Sequence, residues 1–214
     1  MIYFILFFII ILIIRFRHTK IKIKTFFKKG LHILRGRFGV YCYCGKQGSG
    51  KTYSAVEFLQ YNKHLPIYAN IKKIEGVEYT YFNGFSELLK LREKTDCIIF
   101  YDEIFTALTK SSKINSDILD FLSQMRKRRI IFITTAQEWL EINVTLRRYC
   151  RYQIECKIFN IFRRGILFKH IYDAEQLKWD NNENEYIAPL IETTISKMSL
   201  KIAESYDTFE QVKT

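Results

Sequence analysis

An eight-residue motif constrains this chain more than any other feature. Residues 45–52 read Gly-Lys-Gln-Gly-Ser-Gly-Lys-Thr, which is the pattern G-x-x-x-x-G-K-T. The apolar residues 38–44 before it predict a buried strand, and a helical pattern follows it to about Tyr61. A strand, a glycine-rich loop and a helix in this order predict a phosphate-binding loop, whose backbone N–H groups surround an anion. The residues expected to contact the phosphates are Gly45, Lys46, Gln47, Gly48, Ser49, Gly50, Lys51 and Thr52.

The motif and a second strand together predict a site for ATP and Mg²⁺. We expect Lys51 to contact the β- and γ-phosphates and the Thr52 hydroxyl to bind Mg²⁺. Residues 97–101 are β-branched and aromatic, which predicts a buried strand that ends at Asp102 and Glu103. We expect Asp102 to hold Mg²⁺ and Glu103 to act as the general base for an attacking water. The acidic pair favours an ATP-hydrolysing enzyme over a kinase, which needs no water-activating acid.

A third predicted strand, residues 130–134, is followed by Gln137. Because ligands bind at the carboxyl ends of parallel strands, Gln137 is a candidate for sensing the γ-phosphate or orienting water. A glutamine that only caps a loop fits the pattern equally well, so both interpretations stay open.

A ring motor needs an arginine from a neighbouring subunit to stabilise the charge of the transition state. Two groups of arginines are candidates for this role. They are Arg126, Arg128 and Arg129 after a predicted helix, and Arg147 and Arg148 after Trp139. Arg126 and Arg147 represent the two groups among the predicted catalytic residues. Most arginines in such clusters are ordinary surface residues, which is the alternative for each of them.

The rest of the pattern predicts an α/β fold. Short apolar strands alternate with helices, which indicates a mostly parallel sheet flanked by helices, with right-handed crossovers. Residues 152–159 and 165–172 predict a C-terminal β-hairpin at the edge of that sheet. The other predicted elements are strands at 66–69 and 77–82 and helices at 84–93, 116–127 and 195–203.

The N-terminus suggests attachment to a membrane. Residues 1–14, MIYFILFFIIILII, are apolar throughout, although a spanning helix needs about 20 residues. Residues 1–37 contain nine Lys or Arg and no Asp or Glu, so the positive-inside rule places the rest of the chain in the cytoplasm. We predict a transmembrane or membrane-anchor segment at 1–16; a buried N-terminal helix or strand is the alternative.

Composition divides the chain further. We predict a basic juxtamembrane linker at 17–37, a P-loop ATPase domain at 38–172 and an acidic C-terminal extension at 173–214. The linker could instead be a nucleic-acid-binding arm, but the neighbouring apolar run favours the membrane. The net charge of +12 lies mostly in the N-terminal segment, so it does not by itself indicate nucleic-acid binding. The five cysteines form no C-x-x-C pair, which favours reduced, buried thiols.

Several motifs occur in an order that resembles the FtsK–HerA division of P-loop motors. They are residues 45–52, Asn70 after a strand, Asp102-Glu103, Gln-Met-Arg-Lys-Arg at 124–128, and Thr-Thr-Ala-Gln at 134–137. Over residues 38–172 the chain is similar to genome-packaging ATPases of internal-membrane viruses and to zonula occludens toxin-like assembly ATPases of filamentous phages. The resemblance implies a homo-oligomeric, hexameric ring that moves DNA using ATP, with viral portal or coat and membrane proteins as partners.

Three functions remain open from the sequence. The first is a motor that translocates DNA, double-stranded and without sequence specificity, during genome packaging or virion assembly. The second is a membrane-anchored, toxin-like ATPase for phage assembly or export, and the third is a P-loop kinase. In the toxin-like group the membrane segment usually follows the ATPase domain, so its position before the domain favours packaging. The basic residues near the predicted hairpin suit phosphate contacts or a solvated face; they are Arg147, Arg148, Arg151, Arg163, Arg164 and Lys169.

Overall fold

The computed structural model of the protein describes residues 38–103, 116–161, 164–181 and 184–207. The strands are β1 Gly39–Cys44, β2 Ile67–Ala69, β3 Thr80–Tyr81, β4 Ile98–Tyr101, β5 Ile131–Ala136, β6 Cys150–Ile161, β7 Arg164–Asp173, β8 Lys178–Asp180, β9 Glu185–Ile187 and β10 Leu190–Lys197. The helices are α1 Lys51–Tyr61, α2 Gly84–Lys90, α3 Ser116–Gln124, α4 Val144–Tyr149 and α5 Leu200–Ala203. Short 3₁₀ helices occupy Leu91–Glu93, Trp139–Glu141 and Ala174–Gln176.

One large sheet organises these elements. Its order is β10-β7-β6-β1-β5-β4-β2-β3, and β8 pairs with β9 in a separate two-stranded sheet. The pairs from β6 through β1, β5, β4 and β2 to β3 are all parallel, whereas β7 and β10 join antiparallel. The predicted α/β fold with a mostly parallel sheet flanked by helices is therefore confirmed. β1, the strand that leads into the phosphate-binding loop, lies near the middle of the large sheet.

Both faces of the sheet are covered, as parallel sheets require. Every residue of β1 and of β5 is buried. On one face α1 packs with Val56 and Leu59 on the sheet, and on the other α2, α3 and α4 form a second apolar cluster. There Phe121 of α3 meets Phe132 of β5 edge to face, with ring centroids 5.5 Å apart. The two cores hold β1, β4 and β5 in place, so their carboxyl ends form a rigid base for a site.

The C-terminal part differs from the prediction. The hairpin of β6 and β7 does not form the edge of the sheet, because β10 pairs antiparallel with β7 outside it. The helix predicted at 195–203 is also wrong, since residues 195–197 belong to β10 and only Leu200–Ala203 are helical. The β-branched run Thr193-Thr194-Ile195 favours an extended backbone. The boundary placed between residues 172 and 173 thus falls within β7, and β10 of the predicted extension belongs to the same sheet.

The predicted membrane segment at 1–16 and the linker at 17–37 lie outside the described residues. Within the described ranges from 38 to 207, no helix is both long and apolar enough to cross a membrane.

Candidate active site

The loop between β1 and α1 has the backbone that the glycine motif predicts. Gly45 has φ +144°, and a Cβ there would lie 2.5 Å from Ser49 Oγ and 2.7 Å from the carbonyl oxygen of Cys156. Gly50 has φ +90° and precedes α1, whose N-terminus has no side-chain cap. The first N–H groups of α1 have no partner within the helix, so they are available to an anion in the loop.

Lys51 is folded over this loop. Its Nζ donates hydrogen bonds to the carbonyl oxygens of Gly45, at 2.7 Å, and Lys46, at 3.1 Å. The side-chain hydroxyl of Ser49 is buried without a hydrogen-bond partner among the described residues. A phosphate oxygen in the loop would give this hydroxyl an acceptor, and buried polar groups are rarely left without a hydrogen-bond partner.

Asp102 lies across from the start of α1, directly after β4. The Thr52 hydroxyl donates to Asp102 Oδ2 at 3.1 Å, and the Thr135 hydroxyl donates to Oδ1 at 2.5 Å. Asp102 is buried, with 9% of its surface exposed. Burial raises the pKa of this carboxyl above its usual value, and the hydrogen bonds from Thr135 and Thr52 partly oppose that rise.

The donor set of this pair fits Mg²⁺. Mg²⁺ usually binds to one or two carboxylates, retained waters and substrate phosphates, rather than to a cage built only of protein ligands. Asp102 and Thr52 offer hard oxygen ligands beside the loop, and a cation there would offset the cost of burying a carboxylate. Across the described parts of the chain, no group of three or more His, Cys, Asp or Glu side chains forms a metal site.

Asn70 fixes the backbone of Asp102 from the neighbouring strand. It follows β2, and its Oδ1 accepts a hydrogen bond from the Asp102 N–H at 2.8 Å. Its Nδ2 donates to the Asp102 carbonyl oxygen at 3.3 Å. Both backbone groups of Asp102 are thus paired with one buried amide, which limits rotation of the peptide planes that aim the carboxylate.

Glu103 has an unusual backbone conformation. Its φ is +60°, in the left-handed region, which costs a residue with a Cβ about 1–3 kcal/mol. Its N–H donates to the Thr135 hydroxyl at 2.9 Å, and its side chain is exposed. Thr135 therefore contacts both acidic residues, since the same hydroxyl donates to Asp102. This strained turn places two acids one residue apart in different surroundings, one buried and one open to solvent.

The structure places Gln137 beside the loop. Its carbonyl oxygen accepts from the Gly45 N–H at 3.1 Å, and its side chain is exposed. Gln137, the loop and the side chains of Trp139 and Phe159 line a cavity of about 900 Å³. This volume lies within the usual range of ligand pockets, about 300–1,000 Å³. Thr135, two residues before Gln137, is the residue of this segment that contacts Asp102 and Glu103. The sequence did not predict this contact.

The two arginine candidates lie elsewhere. Arg126 forms an ion pair with Glu175 and lies near Gly39, at the opposite end of β1 from the loop. Arg147 is buried, with 6% of its surface exposed, and its guanidinium lies 6.0 Å from the centroid of the Trp139 ring. As placed, Arg147 packs within its own chain, so Arg126 is the more accessible of the two. Their predicted role as arginine fingers stays a prediction.

A family comparison identifies the type of enzyme. The model of the ATPase family associated with various cellular activities (AAA) matches residues 41–159, more than half of the 214 residues. The chain belongs to the AAA family of ATPases. The matched segment contains the phosphate-binding loop, Asp102, Glu103 and Thr135, so the geometry above is that of an AAA nucleotide site. No curated protein sequence matches the chain.

Solved structures with a similar fold include the N-terminal domain of zonular occludens toxin from Neisseria meningitidis. It is 17% identical, with 79% of this chain and 98% of that chain covered and a TM-score of 0.49. The genome packaging NTPase B204 from Sulfolobus turreted icosahedral virus 2, in complex with ATP-gammaS, is 10% identical; the coverage is 71% and 96%, and the TM-score is 0.48. The flagellar accessory protein FlaH from Methanocaldococcus jannaschii is 13% identical, with 75% and 89% covered and a TM-score of 0.46. Both groups that the AAA chain resembles in sequence occur among these structures.

Proposed function

We propose that this AAA ATPase is an ATP-hydrolysing motor that translocates viral DNA during genome packaging or virion assembly at a membrane. One observation carries the hydrolytic part of the proposal. The Thr135 hydroxyl donates to the side-chain carboxylate of Asp102 and accepts from the backbone N–H of Glu103. The Thr52 hydroxyl donates to the other oxygen of the same carboxylate. Asp102, the proposed metal ligand, and Glu103, the exposed acid, are thereby held together beside the phosphate-binding loop.

In this proposal, different residues of the chain have different roles in ATP hydrolysis. Lys51 and the N-terminal N–H groups of α1 bind the phosphates and stabilise the charge that develops on them. Thr52 and Asp102 are the residues that would hold Mg²⁺, which when bound neutralises charge on the phosphate oxygens. Glu103 accepts a proton from the attacking water, because it is the exposed acid of the pair. A kinase has no need of such a group, so Glu103 supports hydrolysis over transfer to another acceptor.

The support for DNA as the cargo is electrostatic and comes with a correction. Residues 38–170 contain 21 Lys or Arg against 13 Asp or Glu, an excess that suits a polyanion. Two of the six basic residues near the hairpin cannot contribute as predicted, because Lys169 and Arg147 are buried. Arg148 of that group is exposed and remains suitable for phosphate contacts, and Lys127, outside the group, is exposed as well. The toxin-like assembly ATPase stays the alternative function.

Stimulation of ATP hydrolysis by DNA tests the motor. We expect the purified full chain to release phosphate from ATP without any acceptor other than water. We expect double-stranded DNA to raise this rate by a factor that falls as salt is increased, because backbone contacts release counterions. The measurement is the steady-state ATPase rate with double-stranded DNA, with single-stranded DNA and without nucleic acid, each over a salt series.

The matched control is the Lys51→Ala variant, whose rate reports contaminating ATPases in all three conditions. A rate that no DNA changes at any salt concentration would remove DNA translocation and favour an ATPase that exports protein. Phosphate release that requires a small-molecule acceptor would favour the kinase. Stimulation by single-stranded DNA alone would favour the toxin-like assembly function.

Membrane attachment through residues 1–16 is the second part of the proposal. It is supported by the uninterrupted apolar run at 1–14 and by the nine basic residues that accompany it in the first 37. We expect the full chain to sediment with membranes after cell lysis and a chain lacking residues 1–16 to stay in the supernatant. Because basic residues alone can bind anionic lipids, the fractions are washed at high salt. A full chain found in the supernatant before any wash would contradict the anchor.

A further inference from the structure

One face of α1 packs on β6 and β7, the two strands of the hairpin. Gly50, Ser54 and Glu57 are spaced by four and three residues, so they lie along a single face of the helix. This face starts at the phosphate-binding loop and contacts β6 and β7 at three successive levels. We call Gly50, Ser54 and Glu57 the hairpin-facing stripe.

The first two levels are close contacts. A Cβ added at Gly50 would lie 3.0 Å from both Ile158 Cδ1 and Leu167 Cδ1, so the loop approaches the hairpin as closely as a glycine allows. One turn later, the Ser54 hydroxyl donates to the Gly50 carbonyl oxygen at 2.7 Å and lies 3.5 Å from Cys156 Sγ. These contacts set the distance between helix and hairpin. The apolar attraction at Gly50 has no preferred direction, and a thiol is only a weak hydrogen-bonding partner for the Ser54 hydroxyl, so neither contact fixes the register strongly.

The third level is a buried ion pair. Lys169 of β7 donates from Nζ to Glu57 Oε2 at 2.6 Å, and their side chains are 3% and 6% exposed. Burying two charges costs desolvation energy, and well-packed apolar residues of similar volume often stabilise a fold equally well. Stability therefore does not explain why charges occupy this position. A charge-assisted hydrogen bond is directional, so it specifies one rotation and one height of the helix against β7.

We propose that Lys169 is a positioning residue for nucleotide binding. By holding Glu57 it fixes α1 in one register against the hairpin, and α1 carries Lys51 and the phosphate-facing N–H groups at its other end. Lys51 and Glu57 lie in the same continuous helix, Lys51–Tyr61, so a shift of the helix at Glu57 also moves the phosphate-binding loop. The inference rests on the proposed function only in that nucleotide binds at this loop.

The test separates the position of the helix from the stability of the fold. Lys169→Met leaves Glu57 buried without its partner, and Glu57→Leu/Lys169→Met replaces the pair with apolar side chains. Leu88→Ala is the matched control, because it opens a cavity in the core on the opposite face of the sheet. For each protein the melting temperature, the Kd of a fluorescent ATP analogue, and the kcat and KM for ATP are measured.

We expect the single variant to lose both stability and affinity and the double variant to recover the melting temperature. The double variant should still bind the ATP analogue about tenfold more weakly than the wild type, because small misplacement of binding groups is costly. Leu88→Ala should melt earlier with an unchanged Kd. A double variant that binds as tightly as the wild type would overturn the proposal, as would a Leu88→Ala variant that loses affinity equally.

Failure of this inference is distinguishable from failure of the proposed function. A wild-type chain that does not bind the analogue contradicts nucleotide binding itself. A wild-type chain that binds, beside a double variant that binds equally, contradicts only the role of Lys169. Should the single variant fail to fold, the double variant carries the same comparison, because it leaves no buried charge unpaired.

Discussion

Replacement of Lys51 by alanine is expected to lower the rate of ATP hydrolysis by about a thousandfold or more while the chain stays folded. Lys51 is the first residue of α1, and its ammonium reaches the carbonyl oxygens on the rim of the loop. It is therefore placed to follow the charge that moves onto the phosphate oxygens. The measurement is the steady-state rate of phosphate release, with nucleotide affinity determined separately.

The Lys51→Ala substitution should have little effect on the stability of the folded state. The variant loses two hydrogen bonds to the loop but also removes a positive charge from the N-terminus of a helix, so the free energy of unfolding should change by about 1 kcal/mol. Lys63→Ala is the matched control, because Lys63 is an exposed lysine just beyond the other end of α1. Wild-type turnover by the Lys51→Ala variant would refute the assignment of this loop as the catalytic site.

Glu103→Gln is expected to lower kcat by about 10²–10³-fold and to retain bound ATP, since a general base contributes about 10²–10⁴-fold. The amide has the shape of the carboxylate but accepts no proton from water. It also leaves the Glu103 N–H bond to Thr135 and the carboxylate of Asp102 in place. Single-turnover hydrolysis and the Kd of ATP separate a loss of chemistry from a loss of binding.

Thr135→Val is the comparison that tests how the acids are held. Valine has nearly the same shape but removes one hydroxyl that serves Asp102 and Glu103 together. We expect a smaller fall in kcat than for Glu103→Gln, accompanied by weaker ATP binding in the presence of Mg²⁺. Unchanged turnover in Glu103→Gln would exclude Glu103 as the base, and a larger effect of Thr135→Val would assign the chemistry to Thr135 and Asp102.

The parts of the site that lie within one motif could be predicted from the sequence. The loop at 45–52 has a fixed spacing, and Asp102 directly follows a strongly β-branched strand. Contacts between strands that are distant in sequence left no such signal. Asn70 and Asp102 are 32 residues apart, and only the pairing of β2 with β4 brings them together. The role of Thr135 has the same origin, because β5 lies between β1 and β4.

The parallel strands of the sheet were predictable from the sequence. They are buried on both faces and therefore appear as continuous apolar runs. β10 was missed because its last residues, 195–197, were interpreted as the start of a helix that continues to Ala203. The helix α4 was missed as well, although Asn143 caps it by accepting a hydrogen bond from the Thr145 N–H at 2.9 Å. An asparagine before a short helical pattern is a start signal that would have indicated it.

The length of β6 has a mechanical consequence. β1 pairs with β6 only as far as Glu155, so residues 156–161 continue beyond the parallel strands together with their partners on β7. At about 3.3 Å per residue, this ribbon extends about 20 Å past the end of β1. The near end of the ribbon lies beside the phosphate-binding loop, where Cys156 and Ile158 approach Gly45 and Gly50. By geometry, a rotation of the ribbon about that end would move residues farther along it more than the residues beside the loop.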